Sequence, residues 1–167
     1  TNVALLLAMG AAMWGVGDRP RYRATFARAA DAARAAGDAK SFTRAALGFA
    51  SPFTSAGVVD TQAIAMLEEA LRMLPPGDSG PRAMALGRLS QALYFGAERE
   101  RMTKLSNEAI AMARRIDDAP AAAYTLARVL FAQDTIAIPG SATDLIEECV
   151  RRAEALGDKM LLSGVLT

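Results

Sequence analysis

Apolar residues recur at three- and four-residue spacing through most of this chain, in segments separated by glycine, proline and aspartate. That spacing keeps one face of a helix apolar. It predicts helices over 3–16, 20–36, 39–50, 60–74, 81–95, 98–116, 119–133 and 141–156, with another beginning near Lys159. The first carries Leu6, Met9, Gly10 and Met13 on one side, the second Tyr22, Phe26, Ala29, Ala30 and Ala33. The boundaries carry their own chemistry. Asp18 is placed to cap the second helix, with Pro20 in its first turn, where a missing N–H costs nothing. Gly37 suits the left-handed position that ends a helix, and Asp38 suits the cap of the next.

The aspartates also keep time. Asp38, Asp78, Asp118 and Asp158 are forty residues apart, and glycine precedes all but Asp118. Core positions share the period. Leu6, Ala46, Leu86 and Leu126 are all apolar, as are Met9, Phe49, Leu89 and Val129. Ala30, Ala70, Ile110 and Val150 match, and so do Ala33, Met73, Ala113 and Ala153. A fixed long period marks a supersecondary unit stacked on copies of itself. The expected organisation is one helical-repeat domain, 1–167, with repeats at about 3–38, 39–78, 79–118 and 119–158 and the start of a further helix at 159–167. A chain that starts at Thr and stops inside a helix is expected to be part of a longer protein. Two longer turns, 51–59 and 134–140, are expected on one rim of the stack.

The first repeat resembles a tetratricopeptide repeat. Counted from Val3, the family's small residue falls on Gly10, and its large, aromatic and alanine positions fall on Tyr22, Phe26 and Ala29. The third repeat has Ser90, Met102 and Ala109 at matching places and Ser106 at the aromatic one. The forty-residue unit is longer than the usual 34, and pairs of the HEAT type match that period better. The resemblance implies an all-α fold, a right-handed solenoid of antiparallel helix pairs. The endings "ARAAGD", "ARRIDD" and "AEALGD", with "RAALGFASPFTSAGVVD", are similar to the helical-repeat region of large bacterial ATP-binding regulators of the LuxR-type and maltose-regulator-like kind. That second resemblance implies a cytoplasmic, non-catalytic scaffold in a signalling or transcription regulator, contacting a protein, a peptide or other domains of its own chain. An effector-sensing groove is the alternative it leaves.

Composition narrows the chemistry. Hydrophobic residues make up 52% of the 167, much of it alanine, with 6% aromatic, which suits close-packed helices. Nineteen basic and 18 acidic residues leave a net charge of +1, so no strong field for nucleic acid or anionic membrane is expected. Sixteen of the basic residues are arginine. The absence of histidine removes His-based triads and the commonest zinc ligand. The single cysteine, Cys149, aligns with Ala29 and Ala109 and is expected to pack as a small hydrophobe. No Walker-type phosphate loop occurs. The uncharged stretch 1–17 is shorter than the ~20 residues a membrane span needs. Carboxylate neighbours Glu68-Glu69, Asp117-Asp118 and Glu147-Glu148 point about 100° apart on a helix and read as surface. Arg19, Arg21 and Arg23 likewise read as solvated charge. No catalytic residue, cofactor or metal is assigned.

The sharper expectation is a peptide-binding groove. In tetratricopeptide geometry the first helix of each pair lines the concave face. Leu7, Trp14, Arg44, Arg88, Gln91, Tyr94, Arg128 and Phe131 would then look into it. Arg88 and Arg128, forty apart, would lie about 10 Å from each other, close enough to share a carboxylate. Trp14 and Tyr94 would supply aromatic anchors. The first helix, apolar nearly all round, is expected to meet a preceding repeat of a longer protein or, in isolation, to self-associate with a neighbouring molecule.

Overall fold

The fold is that of a computed structural model, which describes residues 2–50, 57–130 and 141–166. Among the described residues every regular element is an α-helix. They are α1 Val3–Gly15, α2 Arg19–Ala35, α3 Ala39–Phe49, α4 Thr61–Met73, α5 Gly80–Ala92, α6 Arg99–Arg115, α7 Ala119–Leu130, α8 Ser141–Leu156 and α9 Lys159–Leu166. None of these helices is long and apolar enough to cross a membrane. The chain forms two compact units, Thr1–Pro76 and Gly77–Thr167.

The helix ends follow from a two-residue device. Gly37, at φ +66°, ends α2 in the left-handed conformation. The Asp38 N–H then reaches back to the Ala33 carbonyl (3.0 Å), the long bond of a Schellman turn. The same aspartate's carboxylate accepts from the Ser41 N–H (3.0 Å), capping α3. Asp18 does both jobs between α1 and α2, and Asp158 between α8 and α9. Asp60 caps α4 through the Ala63 N–H, and Asp118 serves the Ala121 N–H at the start of α7 (both 3.0 Å).

Asp78 departs from the expectation. The cap of α5 is Ser79, with extended backbone and no side-chain bond. The preceding Pro75-Pro76 carries the chain away from α4 in a different path, with the C-cap Leu74 itself extended. Asp78 is left to accept two bonds from Arg115 at the end of α6 (2.6 and 2.9 Å). Glu98, the cap residue of α6, likewise bonds no backbone N–H and pairs with Arg101 at 2.9 Å.

In the N-terminal unit, contacts fix the helix directions. Phe26 sits against Gly10, and Thr25 against Met13, so later residues of α2 meet earlier residues of α1. The two helices are therefore antiparallel. Arg23 lies over Phe49 and Arg34 over Phe42, making α2 and α3 antiparallel as well. Arg23 pairs with Asp60 and Arg34 with Glu69, so α2 and α4 run parallel. The expected face of α2 is buried, with Thr25 added to it. On α1 the buried residues are Leu6, Leu7 and Gly10, while Met9 is exposed, a rotation from the expected face.

The C-terminal unit repeats these relations. A Cβ on Gly80 would meet Ala121, and one on Gly87 would meet Thr125, so α5 and α7 are parallel and close. Arg115 reaching back to Asp78 makes α6 antiparallel to α5. Arg114 joins α6 to Glu148 on α8. Ala113, Ala122, Leu126, Leu145 and Cys149 form one of its buried clusters, as the alignment of Cys149 with alanines implies. The two units are in register at eighty residues. α2 and α6 start at Arg19 and Arg99 and end at Ala35 and Arg115, and α3 and α7 start at Ala39 and Ala119.

Candidate functional site

The interior of each unit is organised where its first three helices meet, at positions that correspond across the eighty-residue offset. In the N-terminal unit that joint is aromatic. The Phe26 ring occupies the space that Cβ atoms on Gly10 and Gly48 would need, a contact at 2.8 Å in the first case and closer in the second. Tyr22 meets it edge-on, ring centres 6.3 Å apart. Two glycines let α1 and α3 approach one ring from both sides.

The corresponding positions in the C-terminal unit are Ser90, Ser106 and Arg128. Ser90 is buried and its hydroxyl donates to the Gly87 carbonyl (2.8 Å). Ser106 is buried too, and its hydroxyl has no hydrogen-bond partner among the described residues. Arg128 is half-buried and its guanidinium lies 5.3 Å from the centre of the Tyr124 ring. Thr125 is fully buried and donates to the Ala121 carbonyl (2.7 Å).

The expected groove residues divide by burial. Arg88 is 2% exposed and donates through Nη1 to Gln91 Oε1, and Gln91 is itself buried. These two, with Leu7, are corrections to the picture of solvent-facing positions. Arg88 and Gln91 lie one helical turn apart on α5, which packs against both α6 and α7, and the amide answers part of the guanidinium's demand inside the protein. Arg44 is exposed on α3, and Trp14 is half-buried at the end of α1. Tyr94 stays exposed, edge-on to Phe95 with ring centres 5.0 Å apart, in the turn after α5. Phe131 lies outside the described residues, as do 134–140 and most of 51–59.

The charge clusters have structural partners. Arg23 donates to Asp60 (2.6 Å) and to the Phe49 carbonyl (3.2 Å) while stacking on the Phe49 ring, and Arg21 pairs with Asp18. Arg34 holds Glu69 through two bonds (2.6 and 2.9 Å) and keeps its carboxyl below the usual range. Burial would raise Glu148, but Arg114 and Arg152 overcome it and hold its carboxyl low. Carboxylates held anionic this way are poor proton donors near neutrality. Burial, then Glu148, pushes the Cys149 thiol up to about 12, which leaves little thiolate. Among the described residues no three histidine, cysteine or carboxylate side chains gather closely enough to hold a metal ion.

Sequence reading missed Gly48 as a partner of Phe26. It also missed the ion pairs Arg34–Glu69 and Arg114–Glu148, which join the second helices of adjoining pairs in both units. The signal was present: arginines eighty apart, each followed by a glutamate about 35 residues later. No protein-family model matches this chain, and no curated protein matches it.

Proposed function

We propose that the chain is a non-catalytic helical-repeat scaffold, a right-handed, tetratricopeptide-like solenoid of antiparallel helix pairs that presents a surface to a protein or peptide partner. The observation that carries this reading is the eighty-residue register with its repeated cross-helix ion pair, Arg34–Glu69 in one unit and Arg114–Glu148 in the other. Helix pairs built to one plan, with alternate helices parallel, are how stacked repeats extend a surface. The resemblance of its helix endings to the repeat region of large bacterial ATP-binding regulators supports a cytoplasmic role inside a signalling or transcription regulator.

The accessible recognition residues are Trp14 and Arg44 in the N-terminal unit and Tyr94 and Arg128 in the C-terminal unit. Arg44 and Tyr94 are exposed and Trp14 and Arg128 half-buried, and tryptophan, tyrosine and arginine are the residue types that dominate interfaces. A labelled peptide ending in several acidic residues tests this by fluorescence anisotropy. Binding should weaken with salt, fall with Arg128→Glu and with Tyr94→Ala, and vanish for the same peptide with its acids replaced by amides. Equal binding by the wild-type chain and both variants would reject this surface.

A further inference from the structure

The corner that breaks the aspartate pattern, 74–80, spans the boundary between the two compact units. Its sequence explains the break. Asp38, Asp118 and Asp158 each hold the third helical N–H, that of Ser41, Ala121 and Leu161. Were Asp78 the cap of α5, that place would fall to Pro81, which has no N–H to offer. The cap moves to Ser79 instead, and its side chain makes no cap bond to the first turn. Pro75 and Pro76 lack N–H groups as well, and Gly77 takes a left-handed φ of +103°. All four residues from Pro75 to Asp78 are exposed.

What fastens this stretch is a side chain. Among the described residues, the N–H groups of Gly77, Asp78 and Ser79 make no backbone hydrogen bond. The first bond of α5 runs from the Ala83 N–H to the Ser79 carbonyl (2.9 Å). Asp78 accepts its two bonds from Arg115 in the last turn of α6 (2.6 and 2.9 Å). The N-terminal unit has no equivalent, since Ala35 stands at the position of Arg115. Exposure and missing backbone bonds mark a segment of low local stability. A two-bond fork from arginine is a geometrically specific fastening. Both partners are solvent-exposed, so the fastening is weak and screened by salt.

We propose that residues 75–79 form a strap that opens locally, with the Asp78–Arg115 pair as its latch. Closed, the latch holds the start of α5 to the end of α6. Open, it releases the stretch from Pro75 to Ser79 and frays the first turn of α5, while the helix pairs stay folded. The opening belongs to this corner alone, because the other aspartates are engaged as caps. This inference stands apart from the peptide-binding reading and can fail without it.

Amide hydrogen exchange on the full chain, read residue by residue by NMR at neutral pH, tests it. The Ala83 N–H reports the first turn of α5, because its bond ends on Ser79. Asp78→Asn and Arg115→Gln should each speed its exchange about two- to fivefold, the effect of losing an exposed ion pair. The double variant should do no more than either single one. Salt at about 1 M should speed Ala83 in the wild-type chain and add nothing in the variants. The Leu93 N–H, bonded to the Leu89 carbonyl at the far end of the same helix, should keep its rate. Unchanged Ala83 exchange in both single variants, or additive acceleration in the double one, would overturn the latch. So would equal acceleration at Ala83 and Leu93, which would report loss of the whole helix and not of its first turn.

Discussion

The two units solve one packing problem with opposite chemistry. Where three helices converge in the N-terminal unit, a single ring is gripped between two glycines, with Tyr22 on its edge. At the corresponding positions of the C-terminal unit stand two serines and an arginine, with Arg88 and Gln91 buried on the same helix as Ser90. The second and third helices of the two units share their register, while α5 starts and ends three residues earlier than α1 would at that offset, so side chains and the placing of the first helix both differ. An aromatic joint is held by shape and excluded water; a polar one depends on each hydrogen bond being made. The comparison shows how a repeat frame can be kept while its interior is exchanged.

The largest test is substitution at the shared position. Phe26→Ala should lower unfolding free energy by about 3–5 kcal/mol, as removal of a fully enclosed ring does. Ser106→Ala at the matching site should be neutral or stabilising by up to about 1 kcal/mol, since it removes a buried hydroxyl that lacks a partner among the described residues. Urea unfolding followed by circular dichroism reads both, and equal losses would erase the distinction between the joints.

A smaller effect is expected from the glycine side. Gly48→Ala drives a methyl into the Phe26 ring, with an overpacking cost of about 1–3 kcal/mol. The helix preference for alanine over glycine, about 1 kcal/mol, offsets part of it. The diagnostic is coupling. In a Phe26→Leu background the same Gly48→Ala change should cost less, and additive losses would mean that ring and glycine do not share the space.

The smallest effects are electrostatic and again differ between units. Burial alone would raise Asp60, but the Arg23 guanidinium and the Ala63 N–H hold its carboxyl below the unfolded value. Its contribution is therefore complete above the unfolded carboxylate range, near pH 4. It fades as pH falls through the lower folded value. Asp60→Asn keeps an equally good cap and removes the charge, so it should cost about 1 kcal/mol at neutral pH and flatten the acid limb. Asp78 is also lowered, by Arg115, but that pair is solvent-exposed. Asp78→Asn should leave thermal stability at neutral pH unchanged. If the two aspartates behave alike in a pH series, partial burial is not what separates them.

How much could be read beforehand follows the same division. Helix ends were legible wherever Gly-Asp or Asp alone set the boundary, because caps are local and act within four residues. Asp78 escaped because a diproline upstream changes the backbone path, a matter of geometry rather than residue type. Phe26 was placed correctly on the inner face of α2, and Gly10 on the inner face of α1. Gly48 was not, since its role exists only when a ring from another helix arrives. Arg88 and Gln91 read as surface residues because charge ordinarily stays in water. Only the packing of α5 against α6 and α7 puts them inside.

The aspartate corner carries a further consequence. Its main-chain nitrogen completes the outgoing helix after the glycine's left-handed turn, and its carboxylate begins the incoming one, so both halves of the junction travel in two adjacent codons. A gene segment cut at such corners and copied in tandem joins to itself without a new linker. Lengthening at Asp38 or Asp158 needs no new seam, and natural variation in helix-pair number should break at these two aspartates rather than at Asp78.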